Sequence, residues 1–178
     1  MKRGLFMKNL HANILTALLL AIATIGANVH FLGSIALDSF PAFLGAIILG
    51  PGYGFLLGLL SHGLTALLSG FPLTLPAHII IGVMMGLTCS VYGYLRGKAG
   101  KSIGKILFSD AVALVFNVLL AQLALIPLLG WQAILAMVTG GLLLTLLIAS
   151  VVNLVLAEVV YLSLPAKFLN PFMKTKTK

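Results

Sequence analysis

A chain of 178 residues with 61% hydrophobic and 8% charged side chains, and a mean hydropathy of +1.18, cannot keep its surface wetted as a soluble globule. At about 20 apolar residues per helical crossing, its length allows about five or six crossings with short connections and leaves no room for a separate soluble domain. The formal net charge of +8 falls in three groups: Lys2, Arg3 and Lys8; Arg96, Lys98, Lys101 and Lys105; and Lys167, Lys174, Lys176 and Lys178. Grouping of this kind marks cytoplasmic segments of a membrane protein, so the basicity reads as topology and not as a nucleic-acid surface.

The first apolar run predicts a helix over 10–28. Met1 to Ala27 has the charge and apolar core of a secretory signal peptide, but the remainder is equally apolar, so a retained first helix is expected. A second helix is expected over 35–49, with Asp38 or Ser39 as its cap and Pro41 in its first turns. That segment is short for a hydrocarbon core about 30 Å thick, so a full crossing competes with a hairpin dipping in from outside together with the third helix. Gly50-Pro51-Gly52 forces a turn, the third helix follows over 53–68, and the run from Ser69 to Pro76 breaks it. The fourth, fifth and sixth helices are expected over 77–95, 106–126 and 134–164.

The chain 1–178 thus reads as a single all-α integral membrane domain, a six-transmembrane-helix bundle. Four crossings and then two separate the three basic groups, which places the amino and carboxyl termini and the 96–105 gap together in the cytoplasm. The external connections are then 30–34, 69–76 and 127–131, none of which carries Lys or Arg. They are apolar and rich in Gly and Pro, which suits a lid folded over a cavity better than a solvated loop. No internal repeat points to two related halves that alternate access by themselves.

Polar side chains inside a membrane are costly, and each is a functional candidate. Toward the outer side lie Asn28, His30, Asp38, His78, Gln122 and Trp131, with His62 and Asn117 deeper. Together they offer a carboxylate, imidazoles, amides and an indole, the lining expected for a neutral or weakly polar small molecule; for each residue, a bond to a neighbouring helix is an equal competitor. Asp38 stands first as the only acidic residue on that side, with a simple helix cap as its alternative. His62 and His78 lack a resolved metal-ligand spacing. Near the cytoplasmic side, Asp110 and Glu158 resemble a proton-relay pair, but pairing with Arg96, Lys98 or Lys105 explains them better; Asn153 lies somewhat deeper. The single Cys89 permits no internal disulfide, and no catalytic triad, metalloprotease motif or nucleotide-binding loop is present, so an enzyme is not expected and any ATP-driven step must come from a partner. Ala17 and Ala21 share one face of the first helix, and Ala23 and Ala27 repeat the spacing; such pairs admit another helix closely, from a partner or from the same chain.

These pieces resemble the substrate-binding, or S, components of energy-coupling-factor (ECF) vitamin transporters. The likeness rests on Ala17-x-x-x-Ala21, the placement of the basic groups, and the segment from Leu37 to Ala46 followed by Leu49-Gly50-Pro51-Gly52-Tyr53-Gly54. The resemblance implies a multi-pass plasma-membrane subunit that takes a vitamin or precursor from outside into a cavity capped by the loops after helices one and three. It implies docking, through the Ala17 and Ala21 face, on a module of one transmembrane coupling protein and two ATPases. ATP used by those partners would topple the S component to release its cargo, and no cofactor or metal is implied in this chain. The run from Ser69 to His78 is similar to that of members assigned to α-ribazole, a cobalamin precursor; such a ligand would stack on Trp131 or Phe71 and bond to Asp38, His78 or Asn117. Competing expectations are a solitary small-molecule or metal carrier and a small membrane-embedded enzyme or assembly factor using Asp38, His62 and His78.

Overall fold

The computed structural model describes the backbone of residues 2–28, 30–31, 35–100, 102–169 and 172, and the side chains of 9–28, 37–100, 102–165, 167–169 and 172. The side chains of Lys2, Arg3, Lys8 and His30, the 32–34 part of the first connection expected outside, and Lys101, Lys174, Lys176 and Lys178 lie outside the described residues.

The chain forms α1 (Lys2–Gly26), a two-residue antiparallel pair β1 (His30–Phe31) and β2 (Ile35–Ala36), α2 (Phe40–Leu49), α3 (Pro51–Leu68), α4 (Leu75–Ala99), α5 (Ile103–Leu114), a π-helical segment Val115–Leu120, α6 (Ala121–Leu129), α7 (Trp131–Thr139), α8 (Leu142–Ser163) and α9 (Ala166–Leu169). The spans Asn9–Gly26, Pro51–Leu68, Leu75–Ala99, Ile103–Leu129 and Leu142–Ser163 are long and apolar enough to cross a membrane.

Two expected helices take another form. The second does not run over 35–49: Ile35 and Ala36 pair with Phe31 and His30, and α2 starts at Phe40. Pro41 occupies the first helical turn, where its missing N–H leaves no intrahelical bond unmade. Its ten residues rise only about 15 Å, about half a hydrocarbon core. The sixth does not run unbroken over 134–164, because Gly140-Gly141 interrupts it, with Gly141 at a φ of 94° that other residues rarely adopt. Nor is 127–131 an open connection: Pro127 lies within α6 and Trp131 opens α7, leaving Gly130 as the joint.

The short α2 is the centre of the molecule. Pro41, Ala42, Phe43, Leu44, Gly45 and Ala46 are all buried, and α1, α3, α4 and α8 pack around them. A helix apolar on every side has every side covered. Phe43 meets Tyr92 of α4 edge to face at 5.3 Å, in a core with Leu19, Leu57, Met85 and Leu154. Outward-facing Leu18, Ile25, Leu67, Leu107, Leu144 and Leu162 form the apolar coat that lipid requires.

Two devices hold the start of α2 in place. At the end of α1, a Cβ on Gly26 would lie 2.0 Å from the Leu37 carbonyl oxygen, so only glycine lets the chain before Asp38 lie against α1. From α8, Asn153 Oδ1 accepts hydrogen bonds from the Ser39 and Phe40 N–H groups at 3.2 and 2.7 Å, capping a helix whose own N-cap side chain makes no cap bond. Replacing Asn153 with leucine orphans those donors and is expected to cost about 1–2 kcal/mol. Thermal unfolding in detergent reads this loss; Asn153→Asp, which keeps an acceptor, should retain most of the stability, and equal losses in both variants would discredit the capping role.

At the other end of the bundle, next to the 96–105 connection, Arg96 and Glu158 form a buried pair. Arg96 Nε donates to Oε1 and Nη2 to Oε2 at 2.9 Å, while the Tyr92 hydroxyl donates to Oε1 at 2.7 Å. Arg96 also donates to the Gly100 carbonyl and lies over the Tyr161 ring. Of the three partners open to Glu158, Arg96 is therefore the one taken, and Lys98 bonds the Tyr94 hydroxyl instead. The expected basic partner of Asp110 is not found: among the described residues it makes no ion pair, and its Oδ1 is buried without a donor. Lys98 is exposed, its ammonium lies 3.8 Å from the Tyr94 ring centroid, and it makes no ion pair with Asp110.

Candidate functional site

Away from the Arg96–Glu158 end, the helices part around a cavity of about 280 Å³. It is lined by Asp38 and Ser39 before α2, His62 and Thr65 of α3, Leu73 of the following connection, and Ile81 and Met85 of α4. The far wall is Asn117 of the π segment, Ala121, Gln122 and Leu125 of α6, Met137 of α7, and Leu142, Leu146, Ala149, Ser150 and Asn153 of α8. The volume is at the lower edge of the range of about 300–1,000 Å³ typical of small-molecule pockets.

Local winding explains how these side chains converge. On α8, Leu146, Ser150 and Asn153 follow the spacing of one helical face. On the fifth span, Asn117 and Gln122 are five residues apart, which on a regular α-helix separates them by about 140°. The π segment closes its bonds five residues apart and so brings them toward the same face. Asn117 then donates to Ser150 Oγ at 2.8 Å, tying the π segment to α8.

Asp38 holds its carboxylate between two hydroxyls: Ser39 Oγ donates to Oδ1 at 3.0 Å and Thr65 Oγ1 to Oδ2 at 2.9 Å. The alternative of a simple helix cap does not describe it, since the cap of α2 is Asn153. His62 Nε2 lies 3.2 Å from His78 Nδ1, the rings stacked with centroids 5.3 Å apart, and Phe71 meets His78 at 5.8 Å. His62 faces the cavity, whereas His78 and Phe71 line a second, apolar recess of about 280 Å³ between α3 and α4, with Leu59, Ala66 and Ile79.

Of the residues singled out from sequence, Asp38, His62, Asn117 and Gln122 thus share the cavity wall, and His78 reaches it through His62. Asn28 is exposed and donates to the Thr24 carbonyl of its own helix, and Trp131 is 59% exposed at the start of α7; neither lines the cavity. Phe71 lines the second recess instead. Ser39, Thr65, Ser150 and Asn153 were not foreseen there, although His62-x-x-Thr65 and Ser150-x-x-Asn153 are same-face spacings a sequence can show. Asn153, expected somewhat deeper than Asp110 and Glu158, lines the cavity. On α1, Ala17 and Ala21 face outward, whereas Ala23 and Ala27 are buried inside the bundle.

A family model described as the ECF transporter, substrate-specific component, matches residues 11–161, most of the chain. No curated protein and no solved structure matches it. With a bundle of apolar helices opening on one polar-lined cavity, the chain belongs to the family of substrate-specific components of ECF transporters, membrane-embedded subunits that work with an ECF module to transport a small molecule.

Proposed function

We propose that this protein captures a vitamin or vitamin precursor from outside the cell and delivers it inward by toppling when docked on a coupling membrane protein and two ATPases that use the ATP. The observation that carries the reading is the cavity, which lies at the end of the bundle away from the basic 96–105 connection. By the positive-inside rule that connection and both termini are cytoplasmic in the plasma membrane, which turns the cavity outward. Leu73 and Met137 reach it from the connection after α3 and from α7, the parts of the wall best placed to close over a ligand. α-Ribazole is the favoured substrate, on the likeness of the run from Ser69 to His78.

Docking is assigned to the outward Ala17 and Ala21 face of α1, where two small side chains let a partner helix approach closely. Ala17→Trp is expected to abolish uptake in cells carrying the whole transporter, while the purified variant keeps its ligand. Loss of binding together with uptake would show that this face serves the bundle itself. The substrate-binding role is tested by mass spectrometry of the detergent-purified chain, which should release one small organic compound per protein; catalytic turnover of that compound by the isolated chain would reject the role.

A further inference from the structure

We infer that the cavity selects a hydrogen-bond-donating ligand that is neutral or cationic, held by Asp38 and Gln122, and that it excludes anions such as carboxylates and phosphate esters. This rests on the substrate-binding reading above and names the chemistry of its substrate.

The first ground is the charge of the wall. Asp38 is the one acidic side chain lining the cavity, and neither Lys nor Arg lines it. Every Lys and Arg of the chain belongs to the amino-terminal, 96–105 or carboxyl-terminal group, and none among the described residues lines the cavity to neutralise a bound anion. An anionic ligand would sit beside the Asp38 carboxylate, where like charges repel and no Lys or Arg of the wall offsets them.

The second ground is the balance of donors and acceptors. The hydroxyls of Ser39 and Thr65 donate to Asp38, and one N–H each of Asn117 and Asn153 is taken by Ser150 and the Ala149 carbonyl. Acceptors remain open. A carboxylate offers about four lone-pair sites, and the two hydroxyls on Asp38 fill only part of them. Gln122 is 8% exposed, and its Oε1 is buried without a hydrogen-bond donor. A buried orphan acceptor on a cavity wall is costly when empty and is satisfied by a ligand N–H or O–H. Apart from the His62 imidazole, the rest of the wall is apolar, with Met85 and Met137 able to conform to a flat ring. The fitting guest is a small apolar body with donors on one edge.

The experiment uses the detergent-purified chain, the compound it releases, and four added probes: α-ribazole and thiamine as non-anions, pantothenate and biotin as anions. The released compound should carry no net negative charge at neutral pH, and pantothenate and biotin should not displace it. Asp38→Asn and Gln122→Leu should each weaken its rebinding by about ten- to a hundredfold, the loss of one strong hydrogen bond. Gln122→Glu, which keeps an acceptor and discards the amide donor, should retain binding; a ligand that accepts from Gln122 would lose it instead. A released carboxylate or phosphate, or an unsubstituted chain that binds pantothenate or biotin more tightly than it binds the non-anions, overturns the assigned class and leaves the substrate-binding role standing. A chain that releases nothing and binds none of the four probes overturns both.

Discussion

Glu158→Leu is expected to cost about 3–5 kcal/mol of folding stability, because it leaves the Arg96 guanidinium buried without its counter-charge. Arg96 is 2% and Glu158 8% exposed, so water cannot replace the lost partner. The carboxylate takes two bonds from Arg96 and one from the Tyr92 hydroxyl, joining α4 to α8. Its removal orphans all three donors at once. Arg96→Leu should be similarly damaging for the mirror-image reason. The double variant Arg96→Met with Glu158→Leu should recover much of the loss, since a well-packed apolar pair avoids the desolvation that the ions suffer. Thermal unfolding of monodisperse protein in detergent distinguishes these cases, and single variants as stable as the parent would show that the pair contributes nothing.

Gly58→Ala should destabilise the bundle by about 1–3 kcal/mol, the usual cost of overpacking, or more because the obstruction is main chain. A Cβ at Gly58 would lie 2.5 Å from the Met85 carbonyl oxygen and 3.0 Å from Gly86 Cα. Neither atom can move aside without shifting α4 bodily. A Cβ on Gly54 or Gly86 would also meet opposing main chain, 2.9 Å from the Cys89 or Phe55 carbonyl oxygen. The two helices therefore meet through glycines, as helices in lipid do when dispersion must replace the hydrophobic effect. Because His62 and Met85 line the cavity from these same helices, separation of α3 and α4 should weaken ligand binding as well. Gly63→Ala is the control: nothing stands within 4 Å of its added Cβ, and the helix should gain up to about 1 kcal/mol. Equal loss from both substitutions would refute close packing as the cause.

The Gly54-x-x-x-Gly58 spacing was present in the sequence, as was the Gly140-Gly141 pair that divides α7 from α8. Both are local signals that reasoning on hydropathy alone passes over, because a membrane helix tolerates glycine where a soluble one is weakened by it. The start of α2 is the opposite case. Asp38, Ser39 and Pro41 announced a helix beginning, but nothing nearby could reveal that its cap comes from Asn153, 114 residues away from Ser39.

What the chain determined by itself is what depends on local composition: membrane-length apolar runs, turns at Gly and Pro, basic groups at three places, and Asp38 as the acidic residue remote from them. Tertiary structure alone decided which polar side chains meet. It turned Asn28 and Trp131 outward, brought Asn153 and Ser150 to the cavity, and used a π-helical turn to align Asn117 with Gln122. The physical reason is that lipid is as apolar as the interior of the bundle, so hydrophobic periodicity does not distinguish a lipid-facing side from a buried one. Only the packing of one helix against another assigns the faces.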